Sequence, residues 1–267
     1  MNTLKNLLNQ KVIDNPEQWF ESVCNLLFYR IIFHIKDQRY KITEAELYLH
    51  SEEHPDVFAH GSDDQKEAGL FYFHKRGESY QEGNIKGIDI TFGDENRFGG
   101  ILLRGMQNLG QEKESDYIDG PGLLSQRILD IFEGKKVFDV APNLDIDIFN
   151  STDLWLEEIS GNDQVIYKAP RHGLTLSKDF KNRRPYFAKL YRYLAAPLKT
   201  KKGKGLLSVA LKNQGHDPVS LLGIRETTLD KRMALFQAGV ELDPQGSYKK
   251  KNEKFHIQVF GELSRNN

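Results

Sequence analysis

One cysteine, Cys24, stands in the whole chain of 267 residues. A lone thiol excludes a disulfide scaffold and any multi-cysteine zinc or iron–sulfur site. Long apolar runs are also missing. Leu26–Phe28 and Ile31–Phe33 are among the longest, far below the roughly 20 residues that span a bilayer. Residues 1–10 alternate Leu with Asn and Lys and lack a signal-peptide core. A soluble, cytoplasmic, nucleoid-associated protein without a membrane partner is therefore expected. Low complexity and internal repeats are absent too. A hydrophobic share of 39% with 28% charged residues supports a real core, so wholesale disorder is excluded.

The net charge of −1 hides a strong split. Residues 1–165 hold 16 Lys and Arg against 30 Asp and Glu, whereas residues 166–267 hold 21 against 8. Such asymmetry fits a basic surface for an anionic partner. It equally fits two halves that attract each other within one fold.

The pattern of elements mixes helices and strands without βαβ regularity, which predicts an α+β fold. Asn15 as N-cap, Pro16 and Glu17 start a helix running to about Phe28. Strands are expected at Arg30–Ile35 and Gln38–Leu49 around a Lys36–Asp37 turn, at Phe71–His74, and in a hairpin of Gly87–Phe92 with Gly100–Arg104. A helix follows over Leu123–Phe132, then strands at Leu154–Glu158 and Val165–Ala169. Residues 199–205 read as a basic loop and 249–251 as a second basic tract. Further helices are expected near Leu206–Asn213 and Thr228–Gln237, and a last strand at Phe255–Phe260. The implied organisation is a helical lead-in over 1–36, a core over 37–198 and a basic extension over 199–267.

Residues 43–50 (TEAELYLH) carry the most chemistry. Strand alternation puts Glu44, Glu46, Tyr48 and His50 on one face and Ala45, Leu47 and Leu49 on the other. Two carboxylates beside an aromatic suit general-base work if apolar walls surround them. On an exposed sheet face they would simply meet water. His50, His54 and His60 with Glu52, Glu53 and Asp56 form a possible metal cluster or a polar loop. His74 follows an aromatic strand and is a lesser candidate. Cys24 falls on an apolar helix face and reads as core.

Residues 44–49 (EAELYL), followed by Ala59-His60-Gly61, resemble the active-site signature of the alkyladenine (3-methyladenine) DNA glycosylase family. Matches continue in chain order: residues 75–80 (KRGESY), 101–104 (ILLR), Gly120-Pro121 with Leu123-Leu124, 154–157 (LWLE), 171–174 (RHGL) and 184–187 (RPYF). The likeness spans about residues 38–194. It implies a single α+β domain with a largely antiparallel, curved sheet and surrounding helices. It implies a DNA glycosylase that hydrolyses the N-glycosidic bond of a flipped base and needs no metal or other cofactor. Glu46 would activate the water and Arg104 hold it, with the backbone of Leu174 as a third contact. Tyr48 would stack on the base and His60 pack against it. No lysine is placed for a Schiff base, so the product would be an abasic site.

Asp89 stands in the strand where the family has a base-excluding asparagine. Lys86 occupies the place of its wedging tyrosine. With Arg171 and Arg184, Lys86 is the expected DNA contact. The expected partner is double-stranded DNA carrying a damaged or modified base, in repair or against foreign DNA, and the expected state is a monomer. A silent nucleic-acid-binding module and a hydrolase of free nucleosides are the alternatives.

Overall fold

The computed structural model describes residues 3–11, 13–110, 117–176, 180–239 and 253–265, with only the backbone of Phe180. The chain divides into two compact units, one formed by residues 1–55 and 59–166, the other by residues 56–58 and 167–267. This division departs from the expected boundaries at 36 and 198. The helical lead-in belongs to the first unit, and the second begins some 30 residues earlier than the basic tract, because Tyr167–Ala169 pairs with Arg192–Leu194.

The first unit holds helices α1 (Thr3–Leu8) and α2 (Pro16–Tyr29), then strands β1 (Ile31–Ile35) and β2 (Gln38–His50). Strands β3 (Phe71–Phe73), β4 (Lys75–Arg76), β5 (Ser79–Tyr80), β6 (Ile88–Thr91), β7 (Phe98–Asn108) and β8 (Tyr117–Asp119) follow. Helices α3 (Pro121–Ile131) and α4 (Val137–Val140) and strand β9 (Leu154–Glu158) complete it. The sheet runs β9-β1-β2-β7-β6-β3, with β8 also on β7, and all these pairs are antiparallel.

Local chemistry sets these elements. The Asn15 side chain accepts from the Gln18 N–H at 3.1 Å and caps α2, with Pro16 in the first turn where its missing donor costs nothing. Ile35 pairs with Gln38, so Lys36 and Asp37 form a two-residue hairpin, and Lys36 takes the positive φ of 51° that such turns demand. Trp19, Phe20, Val23, Cys24 and Leu27 of α2 are buried, and Trp19 lies 4.7 Å from Phe92. The sheet face of Ala45, Leu47, Ile90, Ile101 and Leu103 is likewise buried. Burial pushes the Cys24 thiol well above its ordinary pKa, with Glu21 adding to the effect, as befits an inert core cysteine. The opposite sheet face carries the polar residues.

The second unit contains β10 (Tyr167–Ala169), α5 (Phe180–Phe187), β11 (Arg192–Leu194), α6 (Lys204–Asn213), α7 (Pro218–Leu222), α8 (Glu226–Ala238) and α9 (Glu253–Arg265). Its core joins Ala169 and Leu194 to Leu206, Leu207, Ala210 and Leu211 of α6, Leu222 of α7 and Phe260 of α9. The strand expected at Phe255–Phe260 is part of α9. Phe255, Ile257 and Val259 alternate as in a strand, yet Ile257, Phe260 and Gly261 also repeat at helical spacing. The pairing of α9 with α8 decides between them. The expected basic loop over 199–205 is present but shorter: residues 200–203 are irregular, Lys199 ends a 3-10 turn over Pro197–Lys199, and α6 already starts at Lys204. The 249–251 tract lies outside the described residues. Among the described residues no helix is long and apolar enough to cross a membrane.

Candidate active site

Strands β2 and β7 build the centre of the polar face. Their register is regular except at Glu44, which faces Gly105 before the ladder resumes at Ala45 opposite Leu103. Such an irregularity re-aims side chains locally. Glu44, Glu46 and Arg104 share this face and are all buried. Arg104 Nε donates to Glu44 Oε1 at 2.7 Å, and its Nη1 lies 3.2 Å from Glu46 Oε2. The Tyr48 hydroxyl donates to the same Glu46 oxygen at 2.9 Å. Burial alone would lower the Arg104 pKa, but Glu46 and Glu44 outweigh it and hold the guanidinium above its ordinary value. The expected water-exposed alternative for this face does not hold: both carboxylates have 0% exposure.

Two strands away, Asp89 of β6 sits on the same face. Its Oδ1 meets His74 Nε2 at 2.7 Å and its Oδ2 accepts from Gln65 Nε2 at 3.1 Å. Gly100 of β7 makes this possible. A Cβ there would stand 2.5 Å from Asp89 Oδ2 and 2.7 Å from Gln65 Nε2. The His60 ring packs 4.2 Å from His74 and edge-on to Tyr72 at 6.2 Å while keeping part of its surface in water. Burial, helped by His74 and opposed by Asp89, lowers the His60 pKa below its usual value.

Five expected residues of the first unit, Glu46, Arg104, Tyr48, His60 and Asp89, thus stand on or beside one sheet face. His74, only a lesser candidate in the sequence, and Gln65, not expected at all, join them. A histidine after the aromatic strand is the sole signal for the first, and nothing local marks the second.

The expected DNA contacts are arranged differently. Lys86 is buried and its ammonium donates to Gln126 of α3, so it does not project as a wedge. Arg171, in the second unit, is also interior. Its Nη1 lies 2.6 Å from Asp56 Oδ2, both side chains have 0% exposure, and its guanidinium lies 5.4 Å from the rings of Phe58 and Tyr191. A buried arginine held by a carboxylate and two rings is a structural ion pair, not a phosphate contact. Arg184 is half-exposed and pairs with Glu262 at 3.0 Å. Leu174 is partly buried in a cluster with Phe58, Phe187 and Val259.

The candidate metal cluster also dissolves. Asp56 is committed to Arg171, and His54 Nδ1 meets the Leu49 carbonyl at 2.8 Å. Among the described residues no group of three or more His, Cys, Asp or Glu is placed to hold a metal.

No family model matches the chain. An uncharacterized protein, L759, of Acanthamoeba polyphaga mimivirus is 28% identical over 185 residues, which cover 63% of this chain and 84% of that protein. The name of that relative assigns it no activity, so the chemistry must be argued from the side chains themselves.

Proposed function

We propose that the first unit is a DNA glycosylase of the alkyladenine type, acting on a damaged or modified base. The observation that carries this reading is the buried Glu44–Arg104–Glu46 group with Tyr48 on the same carboxylate. Base hydrolysis passes through an oxocarbenium-like sugar. Two carboxylates sharing one guanidinium carry a net negative charge that suits the positive sugar, and Glu46 would deprotonate the attacking water. Tyr48 and the His60–His74–Tyr72 rings supply aromatic faces for an extruded base, each stack worth about 1–3 kcal/mol. The reading requires no metal or redox cofactor.

Base release from duplexes bearing 3-methyladenine, hypoxanthine, ethenoadenine, uracil or hypermodified cytosine, scored by alkali cleavage, tests it. Release by the parent chain and its loss in Glu46→Gln is the expected result. Equal release, or none, in both proteins would end it.

A second reading is a binding module without catalysis. It is favoured by the burial of Lys86 against Gln126, which leaves its side chain unable to fill the gap of a flipped base. DNA binding without base release is its outcome in the same assay.

A further inference from the structure

The second unit carries a three-helix arrangement of α6, α7 and α8. The Asp217 side chain accepts from the Val219 N–H at 3.0 Å and caps α7. The helix ends at Leu222, and Gly223 turns the chain at φ 59°, ψ 41°, a left-handed conformation that favours glycine. Only Gly223, Ile224 and Arg225 separate α7 from α8. A short turn of this kind containing glycine joins the two helices of a helix-turn-helix, and α6 packs against both. Leu222 and Leu229 are buried, while Ile224, Met233 and Phe236 pack on the α6 core. On the other side of α8, Thr227, Asp230, Lys231 and Ala234 are exposed at helical spacing, with Arg225 exposed at its start.

The unit that carries this helix is strongly basic. With Asp56 included it holds 21 Lys and Arg against 9 Asp and Glu, a net of +12. Lys201, Lys202 and Lys212 are exposed beside or on α6.

We propose that α7 and α8 form a helix-turn-helix that reads duplex DNA, with the Thr227–Lys231–Ala234 face of α8 in the major groove. A helix with its side chains is about 10–12 Å across and the major groove of B-DNA about 12 Å wide. The deep, narrow major groove of A-form RNA does not admit a helix. Arg225 and Lys231 can donate to guanine, Asp230 can accept from cytosine, and the Thr227 methyl can meet that of thymine. The exposed lysines supply the phosphate contacts that fix register without reading sequence. This assignment concerns the second unit alone and does not rest on the glycosylase reading.

The test selects from a random duplex pool with the full chain, then measures anisotropy on the winner from 50 to 200 mM salt. A single enriched sequence is expected. Thr227→Ala and Lys231→Ala should each relax the preference and weaken specific binding by about 5- to 150-fold. Lys201→Ala with Lys202→Ala should weaken all duplexes alike and flatten the salt slope by about one for each phosphate no longer gripped. All four positions are exposed, so melting curves should match the parent and report any misfolding. A pool with no enrichment, equal binding of single strands or RNA, or an unchanged preference in the Arg225→Ala, Thr227→Ala, Lys231→Ala triple variant would overturn the proposal. A parent chain that selects a duplex sequence yet releases no base upholds it and ends the glycosylase reading.

Discussion

Arg104→Met leaves two carboxylates in the interior without their shared cation. Glu44 and Glu46 both have 0% exposure, and Arg104 holds one at 2.7 Å and the other at 3.2 Å. Methionine roughly keeps the volume, so the loss is electrostatic. Removing one partner of a buried pair costs about 3–5 kcal/mol. In a body of about 160 residues that is a fall in Tm of about 6–20 °C. Both tryptophans, Trp19 and Trp155, lie in the first unit, Trp155 stacked on His34 at 3.8 Å, so their fluorescence reports on this unit.

The loss should also carry a pH signature. In the parent chain the Arg104 pKa is raised, so its stabilisation is present throughout the range below that of a free arginine. In the variant, two buried carboxylates facing each other take up a proton more readily than in the unfolded chain. Their penalty is then full at pH 8 and shrinks as pH falls towards 5. Urea melts at both pH values, followed by tryptophan emission, measure it. A cost below about 1 kcal/mol, or one that grows on acidification, would refute the buried-triad reasoning.

Three further outcomes follow from the geometry. Gly100→Ala puts a methyl 2.5 Å from Asp89 Oδ2, and displacing that carboxylate should cost about 1–3 kcal/mol by urea melt and shift the His74 ring signals in NMR. Asp89→Asn removes a group that raises the His60 pKa, so the NMR titration midpoint of His60 should fall further, whereas His74→Ala should raise it. In the parent chain the His60 contribution to stability is present above the ordinary histidine value of 6.5 and is lost as pH falls towards the folded pKa, because only the unfolded chain then binds the proton. Asp56→Ala strands Arg171, which has 0% side-chain exposure, and should cost about 3–5 kcal/mol of stability, measured by urea melts followed by far-UV circular dichroism.

What the sequence shows plainly is what neighbouring residues decide. The Asn15 cap, the Lys36–Asp37 hairpin and the alternation of Glu44, Glu46 and Tyr48 each depend on a few positions, and each is legible. Resemblance to a known signature added Arg104, 60 residues from Glu44, to the same group. The burial of those carboxylates was not legible, because alternation gives a face and not what covers it. Asp89 with His74 and Gln65 lie 15 and 24 residues apart, and Arg171 meets Asp56 across 115. The resemblance gives Lys86 and Arg171 as DNA contacts by their places in its motifs, and nothing near them in the chain shows that Gln126 and Asp56 hold them instead. The α9 segment failed for a related reason: its alternation satisfies both periods, and packing against α8 chose the helix.

The charge split seen in the sequence falls almost on the boundary between the two units, at residues 166 and 167. By composition the first unit is net −13 and the second +12. A body with that negative charge gains nothing from a polyanion at long range, since the repulsion acts wherever its surface faces the backbone. Any affinity for DNA must then come chiefly from the second unit, through counterions released by its lysines and arginines. The proposed chemistry on the acidic body therefore requires a separate grip. The proposed α7–α8 helix-turn-helix, with the exposed lysines beside or on α6, would supply it. Binding and base release should accordingly respond to different residues, and to salt in different degrees.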